Sequence, residues 1–110
     1  MKRTGGCHCG AIRYEVHAEI SKAISCNCSM CSKTGALLAF VAGSEFTQVS
    51  GKDAMLTYQF NKHVIHHNFC RRCGIYPFAS GKEGVMVNVR CLDGVDLSAL
   101  TIQPFDGKSL

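Results

Sequence analysis

Eight cysteines, most of them in tight clusters, are the feature that most constrains how this chain of 110 residues can fold. The clusters are Cys7-x-Cys9, Cys26-x-Cys28-x2-Cys31 and Cys70-x2-Cys73, and Cys91 stands alone. Cysteines one or two residues apart rarely bridge each other, because a disulfide needs Cα atoms about 4.4–6.8 Å apart with suitably directed Cβ atoms. Neighbouring thiolates on a tight turn do suit a tetrahedral metal ion. The spacing therefore predicts zinc sites, although thiolates alone do not exclude an iron–sulfur cluster.

The expected cellular compartment also favours metal sites over disulfides. Lys2 and Arg3 are followed by no apolar stretch of the length that a signal peptide has. The longest apolar run, residues 36–42, is far shorter than the roughly 20 residues of a membrane helix. We therefore expect a cytosolic protein without a membrane partner, in which thiols stay reduced. A chain of this length suits one modest core, so residues 1–110 are predicted to form a single domain.

Alternation of apolar and polar residues is the commonest local pattern, and it predicts strands. The predicted strands cover residues 12–17, 22–26, 37–42, 45–49, 56–60, 63–69 and 85–89. The pair 56–60 and 63–69 reads as a hairpin around Asn61-Lys62. The only predicted helix is a short one near Asp96 to Leu100, where Asp96 can act as the cap. The fold class is therefore a small, mainly β, mostly antiparallel domain with zinc-bearing turns.

Two of the clusters have the form of zinc knuckles. Cys70-Arg71-Arg72-Cys73 is followed by Gly74, and Cys7-His8-Cys9 is followed by Gly10. In such turns the backbone amides point at the sulfurs, and a glycine after the second cysteine accepts the positive φ that the turn requires. Arg71 and Arg72 could partly offset the negative charge of a four-thiolate zinc site, but they are interpreted first as solvated surface residues.

The clustered cysteines divide most naturally into four and three. Four thiolates close a structural tetrahedron, whereas three leave one position for water or substrate, as in a catalytic zinc site. The middle cluster is the natural three-ligand unit, which pairs the two outer clusters. Spacing alone does not force this division. Residues that could close the second site and make it purely structural are Cys91, His8, His66 and His67.

The remaining chemistry-bearing residues carry weaker signals. His66 and His67 are neighbours on a predicted strand, so they face opposite sides and cannot both serve one site. Each is interpreted as an ordinary strand histidine, and Cys91 as a small buried apolar residue. The formal net charge of +4 assumes protonated thiols. The basic residues are scattered and form no patch interleaved with aromatic residues, which argues against a nucleic-acid partner.

The cysteine clusters and their neighbours resemble one family, that of the glutathione-dependent formaldehyde-activating enzyme and centromere protein V. The segments that carry the resemblance are Gly5-Gly6-Cys7-His8-Cys9-Gly10, Cys26-Asn27-Cys28-Ser29-Met30-Cys31-Ser32-Lys33-Thr34-Gly35, Phe69-Cys70-Arg71-Arg72-Cys73-Gly74 and Val87-Asn88-Val89-Arg90-Cys91-Leu92-Asp93. The resemblance implies a β-tent of antiparallel sheets with two zinc ions per chain. It implies a structural zinc on Cys7, Cys9, Cys70 and Cys73, and a second zinc, assigned to catalysis, on Cys26, Cys28 and Cys31.

The activity implied by the resemblance is that of a carbon–sulfur lyase, which condenses formaldehyde with glutathione to S-hydroxymethylglutathione and reverses the reaction. Lys33, Arg71 and Arg90 are the residues proposed to attract the glutathione carboxylates. Many relatives carry His where this sequence has Asn27. Many also carry Arg after the third cysteine of the middle cluster, where this sequence has Lys33 two residues beyond Cys31. The alternatives are a non-catalytic carrier or scavenger of thiol adducts, and a zinc-stabilised module that binds protein or nucleic acid.

Overall fold

A computed structural model of the chain describes residues 2–60 and 65–109. The elements are β1 Lys2–Gly6, β2 Arg13–His17, β3 Lys22–Cys26, α1 Ser29–Thr34, β4 Leu38–Val41, β5 Phe46–Ser50, β6 Met55–Tyr58, β7 His66–Cys70, β8 Phe78–Gly81, β9 Gly84–Asn88 and β10 Thr101–Phe105. Single 3-10 turns lie at Gly43–Glu45, Lys52–Ala54, Val89–Cys91, Leu97–Ala99 and Gly107–Ser109. Strands dominate this part of the chain, which confirms the predicted mainly β class.

The strands form two sheets of unequal size. The small sheet has the order β1-β2-β5, and the large sheet has the order β10-β3-β4-β9-β8-β7-β6. Both sheets are antiparallel except at one edge, where β10 runs parallel to β3 and pairs Phe105 with Cys26. This parallel pair brings the chain that follows β10 to the middle cysteine cluster.

The main core lies between the two sheets. Tyr14 of the small sheet meets Phe78 of the large sheet with ring centroids 5.7 Å apart, and Phe46 contacts both rings. The buried hydroxyl of Tyr14 donates a hydrogen bond to the Pro77 carbonyl at 3.0 Å, so the largest core side chain leaves no polar atom unpaired.

A second, smaller apolar cluster occupies the opposite face of the large sheet. Successive strand residues point to opposite faces, so Ala39 joins the main core while Leu38 joins the second cluster. Cys31 and Tyr76 are buried in this second cluster as well. The middle cysteine cluster is thus seated on an apolar face rather than in the main core.

Several predicted elements are confirmed with small shifts of their ends. The strands β6 and β7 form the predicted antiparallel pair, while the predicted turn at Asn61-Lys62 lies outside the described residues. The short helix near Asp96 is a 3-10 turn at Leu97–Ala99, and the Asp96 carboxylate accepts from the Ser98 amide at 3.0 Å.

One prediction is wrong: the helical segment near Asp96 to Leu100 is not the only one, because α1 forms within the middle cysteine cluster. This helix has six residues, too few for an apolar period to be visible in the sequence. Strands β1, β8 and β10 were also not predicted. Within the described residues, no helix has both the length and the apolar character needed to cross a bilayer.

Candidate metal centres

The first candidate centre brings together the two outer clusters. The sulfurs of Cys7, Cys9, Cys70 and Cys73 all lie within 4.8 Å of one another. Cys7 directly follows β1, and Cys70 is the last residue of β7. The sulfur of Cys9 lies 3.7 Å from that of Cys7 and 3.6 Å from that of Cys70. A disulfide would need about 2.05 Å, whereas thiolates bound to one zinc at about 2.3 Å are about 3.8 Å apart along a tetrahedral edge. The donor set therefore fits a zinc ion.

Both turns of this set have the predicted knuckle geometry. Gly10 has a φ of 83° and Gly74 a φ of 79°, which confirms the role expected of a glycine after each second cysteine. The Ile12 amide donates to the Cys7 sulfur at 3.3 Å, and the Arg72 amide donates to the Cys70 sulfur at 3.4 Å. Amides aimed at a sulfur favour its thiolate form.

The second candidate centre is built by one short segment. The sulfurs of Cys26, Cys28 and Cys31 lie within 4.8 Å of one another. The Cys28 amide donates to the Cys26 sulfur at 3.4 Å, and the Cys31 amide donates to the Cys28 sulfur at 3.3 Å. The sulfur of Cys28 thereby caps α1, and Gly35 ends the helix in the left-handed conformation. The cluster thus shapes its own helix, which a search for apolar periodicity does not detect.

The two sets differ in their number of cysteines, four against three, as the spacing in the sequence suggests. Cys91 and the histidines His8, His66 and His67 belong to neither set of clustered ligand atoms in the part of the chain that is described. His66 is exposed and His67 is buried, as expected of neighbours on a strand. Cys91 is half-buried, and its thiol donates weakly to the Tyr76 carbonyl at 3.7 Å.

Each set contains a thiol that ionises readily. Burial opposes ionisation of Cys73, but the backbone amides of Ile75 and Cys9 outweigh it and lower its pKa to about 6. Burial likewise opposes ionisation of Cys28, yet the Cys31 amide and neighbouring thiols lower its pKa. Burial raises the pKa of Cys31 to about 12 in the same set. A divalent cation would remove this contrast, because it favours the thiolate form of every ligand.

A buried polar pair lies behind the three-cysteine set. The hydroxyl of Tyr76 and Nδ1 of His67 share a hydrogen bond of 2.9 Å, and the ring of Tyr76 stacks on Phe69 with centroids 4.8 Å apart. Burial lowers the pKa of His67 and therefore favours its neutral form. Sequence reasoning singled out neither Tyr76 nor this pair, because the two residues meet only through the folding of β7 against the segment that follows the knuckle.

A cleft of about 470 Å³ is lined by Cys7 of the four-cysteine set and by Thr34 at the end of α1. Its polar lining residues include His8, Thr34, Tyr76, Asn88, Arg90 and Cys91. The Thr34 hydroxyl donates to the Cys31 carbonyl at 3.4 Å, and Nε of Arg90 donates to the Gly35 carbonyl at 3.3 Å. Of the three basic residues singled out in the sequence, Arg90 lines this cleft, whereas Lys33 and Arg71 are exposed elsewhere.

Comparison with known proteins identifies a family and similar solved structures. Residues 2–104 match the family model described as glutathione-dependent formaldehyde-activating enzyme. A crystal structure of a Rhodobacter sphaeroides protein is similar with a TM-score of 0.80 and 34% sequence identity. The similarity covers 91% of this chain and 99% of that one. The family match includes both cysteine sets and the cleft, and it ends before residues 105–109.

Proposed function

The chain belongs to the family of glutathione-dependent formaldehyde-activating enzymes, and from this membership we propose that it is a zinc-dependent carbon–sulfur lyase acting on a small thiol adduct. The proposed reaction joins the glutathione sulfur to the formaldehyde carbon and gives S-hydroxymethylglutathione. The thiol proton ends on the new hydroxyl oxygen, so the step requires neither an oxidant nor a reductant. The reverse reaction breaks the same carbon–sulfur bond.

The observation that carries the proposal is a three-thiolate set beside a complete four-thiolate set. We assign Cys7, Cys9, Cys70 and Cys73 to a structural zinc and Cys26, Cys28 and Cys31 to a second zinc. These three thiolates would hold the second zinc, which would supply a Lewis-acid centre for a substrate sulfur or oxygen. A fourth protein ligand would close this centre to substrate, and the described residues offer none within the cluster.

The cleft is the proposed site for the rest of the thiol substrate. Its volume of about 470 Å³ lies within the range of roughly 300–1,000 Å³ found for small-molecule sites. Arg90 provides a fixed guanidinium for a substrate carboxylate, because its contact with the Gly35 carbonyl orients it beside α1. Thr34 and Tyr76 line the cleft and also contact the Cys31 region. A thiol held in the cleft would thus extend toward the three-cysteine set.

Exchange NMR on a mixture of glutathione and formaldehyde tests the proposed activity. We expect zinc-loaded protein to accelerate exchange between free glutathione and its hydroxymethyl adduct above the background rate. The variant Cys28→Ser, which lacks one ligand of the second set, should return exchange to background. Absence of any acceleration by the wild-type protein would contradict the lyase proposal.

The uncatalysed addition of thiols to formaldehyde is already fast, so the main alternative is a carrier that binds the adduct without turnover. Isothermal calorimetry with the same glutathione and formaldehyde mixture separates the two. Heat of binding together with unchanged exchange rates would favour the carrier, whereas accelerated exchange excludes it.

A further inference from the structure

The segment that follows β10 crosses directly over the Cys26-Asn27-Cys28 turn. The parallel pairing of β10 with β3 places Phe105 opposite Cys26, and the Asn27 amide donates to the Phe105 carbonyl at 3.1 Å. Residues Asp106 to Ser109 then turn back over the three-cysteine set, with a 3-10 turn at Gly107–Ser109. We call residues 106–109 the strap.

The side chain of Asn27 holds the strap at two points. Its Nδ2 donates to Oδ1 of Asp106 at 3.0 Å, and its Oδ1 accepts from the Lys108 amide at 2.8 Å. The other carboxylate oxygen of Asp106 accepts from the Ser109 hydroxyl at 2.7 Å. An amide side chain is suited to this position because it donates on one side and accepts on the other.

Gly107 lies against the sulfur of Cys26. A Cβ added at Gly107 would lie 2.5 Å from Cys26 Sγ and 3.2 Å from Cys28 Cβ. The glycine is therefore required for close approach rather than for a positive φ. The strap backbone contacts a proposed metal ligand and covers one side of the three-cysteine set.

We infer that the strap closes this side of the three-cysteine site and restricts the size of the thiols that reach it, with Asn27 as the positioning residue that holds the strap in place. The selection of thiol substrates rests on the proposed function. The covering of Cys26 by the strap does not depend on that function. The strap lies beyond the residues that match the family model.

The test compares variants that release the strap with matched controls. Asn27→Ala removes both side-chain contacts, and Asp106→Ala removes one of them. Asp96→Ala is the control for Asp106→Ala, because Asp96 also accepts from a nearby serine hydroxyl, at 2.6 Å, but caps the 3-10 turn at Leu97–Ala99 rather than belonging to the strap. Gly107→Ala should lift the strap as well, while Gly43→Ala introduces a Cβ into open space.

The measurement is the alkylation of Cys26 in the full-length protein as purified, resolved by fragmentation mass spectrometry. N-ethylmaleimide serves as the small reagent and fluorescein maleimide as the bulky one, with half-buried Cys91, which belongs to neither cysteine set, as internal reference. Loss of the two hydrogen bonds should raise the bulky-to-small rate ratio at Cys26 by about tenfold. The ratio separates access to Cys26 from the reactivity of its thiol. If the role of Asn27 were merely structural, its loss would change the reactivity toward both reagents equally and leave the ratio unchanged.

A polarity exchange checks the role of Asn27. Asn27→Asp sets a second carboxylate against Asp106 and should release the strap, whereas Asn27→Asp combined with Asp106→Asn restores one donor facing one acceptor. The rate ratio should return toward the wild-type value only in the double variant. An unchanged ratio at Cys26 in Asn27→Ala and Asp106→Ala would overturn the inference.

Thiol exchange by the same variants separates this inference from the proposed function. If wild-type protein accelerates exchange, strap release should raise the rate with a bulky thiol relative to 2-mercaptoethanol. If wild-type protein accelerates no exchange, the lyase proposal fails, and the alkylation ratio still decides whether the strap closes the site.

Discussion

At the scale of single residues, the buried pair of His67 and Tyr76 contrasts with the exposed Arg90. His67 is only 6% exposed and Tyr76 only 5%, so the hydrogen bond between them has no water to replace it. Arg90 shows the opposite situation, since it is exposed and lines the cleft. We therefore expect the buried pair to contribute to stability, whereas Arg90 remains the proposed contact for a substrate carboxylate.

Tyr76→Phe should lower the free energy of unfolding by about 1–3 kcal/mol, because it leaves the buried His67 Nδ1 without its partner. Tyr58→Phe is the matched control, since Tyr58 is 53% exposed and its change should stay within about 0.5 kcal/mol. Urea denaturation in zinc-containing buffer measures both. Equal effects of the two substitutions would show that the buried pair contributes nothing specific.

Arg90→Ala should raise KM for glutathione about tenfold, the loss expected when one charge-assisted hydrogen bond to a substrate carboxylate is removed. Arg71→Ala serves as the control, because Arg71 lies on the knuckle and does not line the cleft. Exchange kinetics at varied glutathione concentration measure both variants. A larger effect at Arg71 than at Arg90 would move the proposed carboxylate site away from the cleft.

At the scale of elements, the cysteine turns are defined by local hydrogen bonds and by glycines. Gly74 donates its amide to the Cys70 carbonyl at 2.8 Å while adopting a positive φ. The turn thereby brings two sulfurs to one side, with Cys70 buried in the main core and Cys73 packed against it. The short helix α1 is also defined by local residues, since the side chain of Cys28 caps its start and Gly35 ends it.

Gly74→Ala should cost about 1–2 kcal/mol of stability, the usual penalty for a side chain in the left-handed region. No atom lies within 4 Å of the added Cβ, so the cost is one of backbone conformation rather than of crowding. Gly43→Ala, which also meets open space but without a positive φ, should be near neutral. Thermal unfolding of the two variants in zinc-containing buffer distinguishes them.

The elements also show how far the sequence predicts the structure. Alternation of apolar residues was sufficient for β2 and β9, whose inward residues are buried. It was not sufficient for β10, in which every residue is exposed and Pro104 interrupts the pattern, or for β1, which ends in two glycines. The knuckle glycines were predictable because their role is local. The Asn27 contacts were not, because they join residues about 80 positions apart.

At the scale of the whole molecule, the two cysteine sets play different mechanical roles. The four-cysteine set joins the end of β1 in the small sheet to the end of β7 in the large sheet, and Cys9 and Cys70 are 61 residues apart in the sequence. The three-cysteine set spans a single turn and one short helix. A metal cross-link between distant segments restricts the unfolded chain far more than a local one does.

Cys73→Ser should therefore unfold the protein or lower its melting temperature sharply, while Cys28→Ser should leave the fold intact and remove one zinc. Far-ultraviolet circular dichroism and bound zinc measured on the same samples separate the two effects. A folded Cys73→Ser protein that still holds its full zinc content would contradict the structural assignment of the outer clusters.

The most direct test of the account is the zinc content of protein purified without added metal, measured by inductively coupled plasma mass spectrometry against protein concentration. Two zinc ions per chain are expected, falling to one in Cys28→Ser. A single zinc in the wild-type protein that Cys28→Ser leaves unchanged would contradict the second centre, and with it the proposed site of the chemistry.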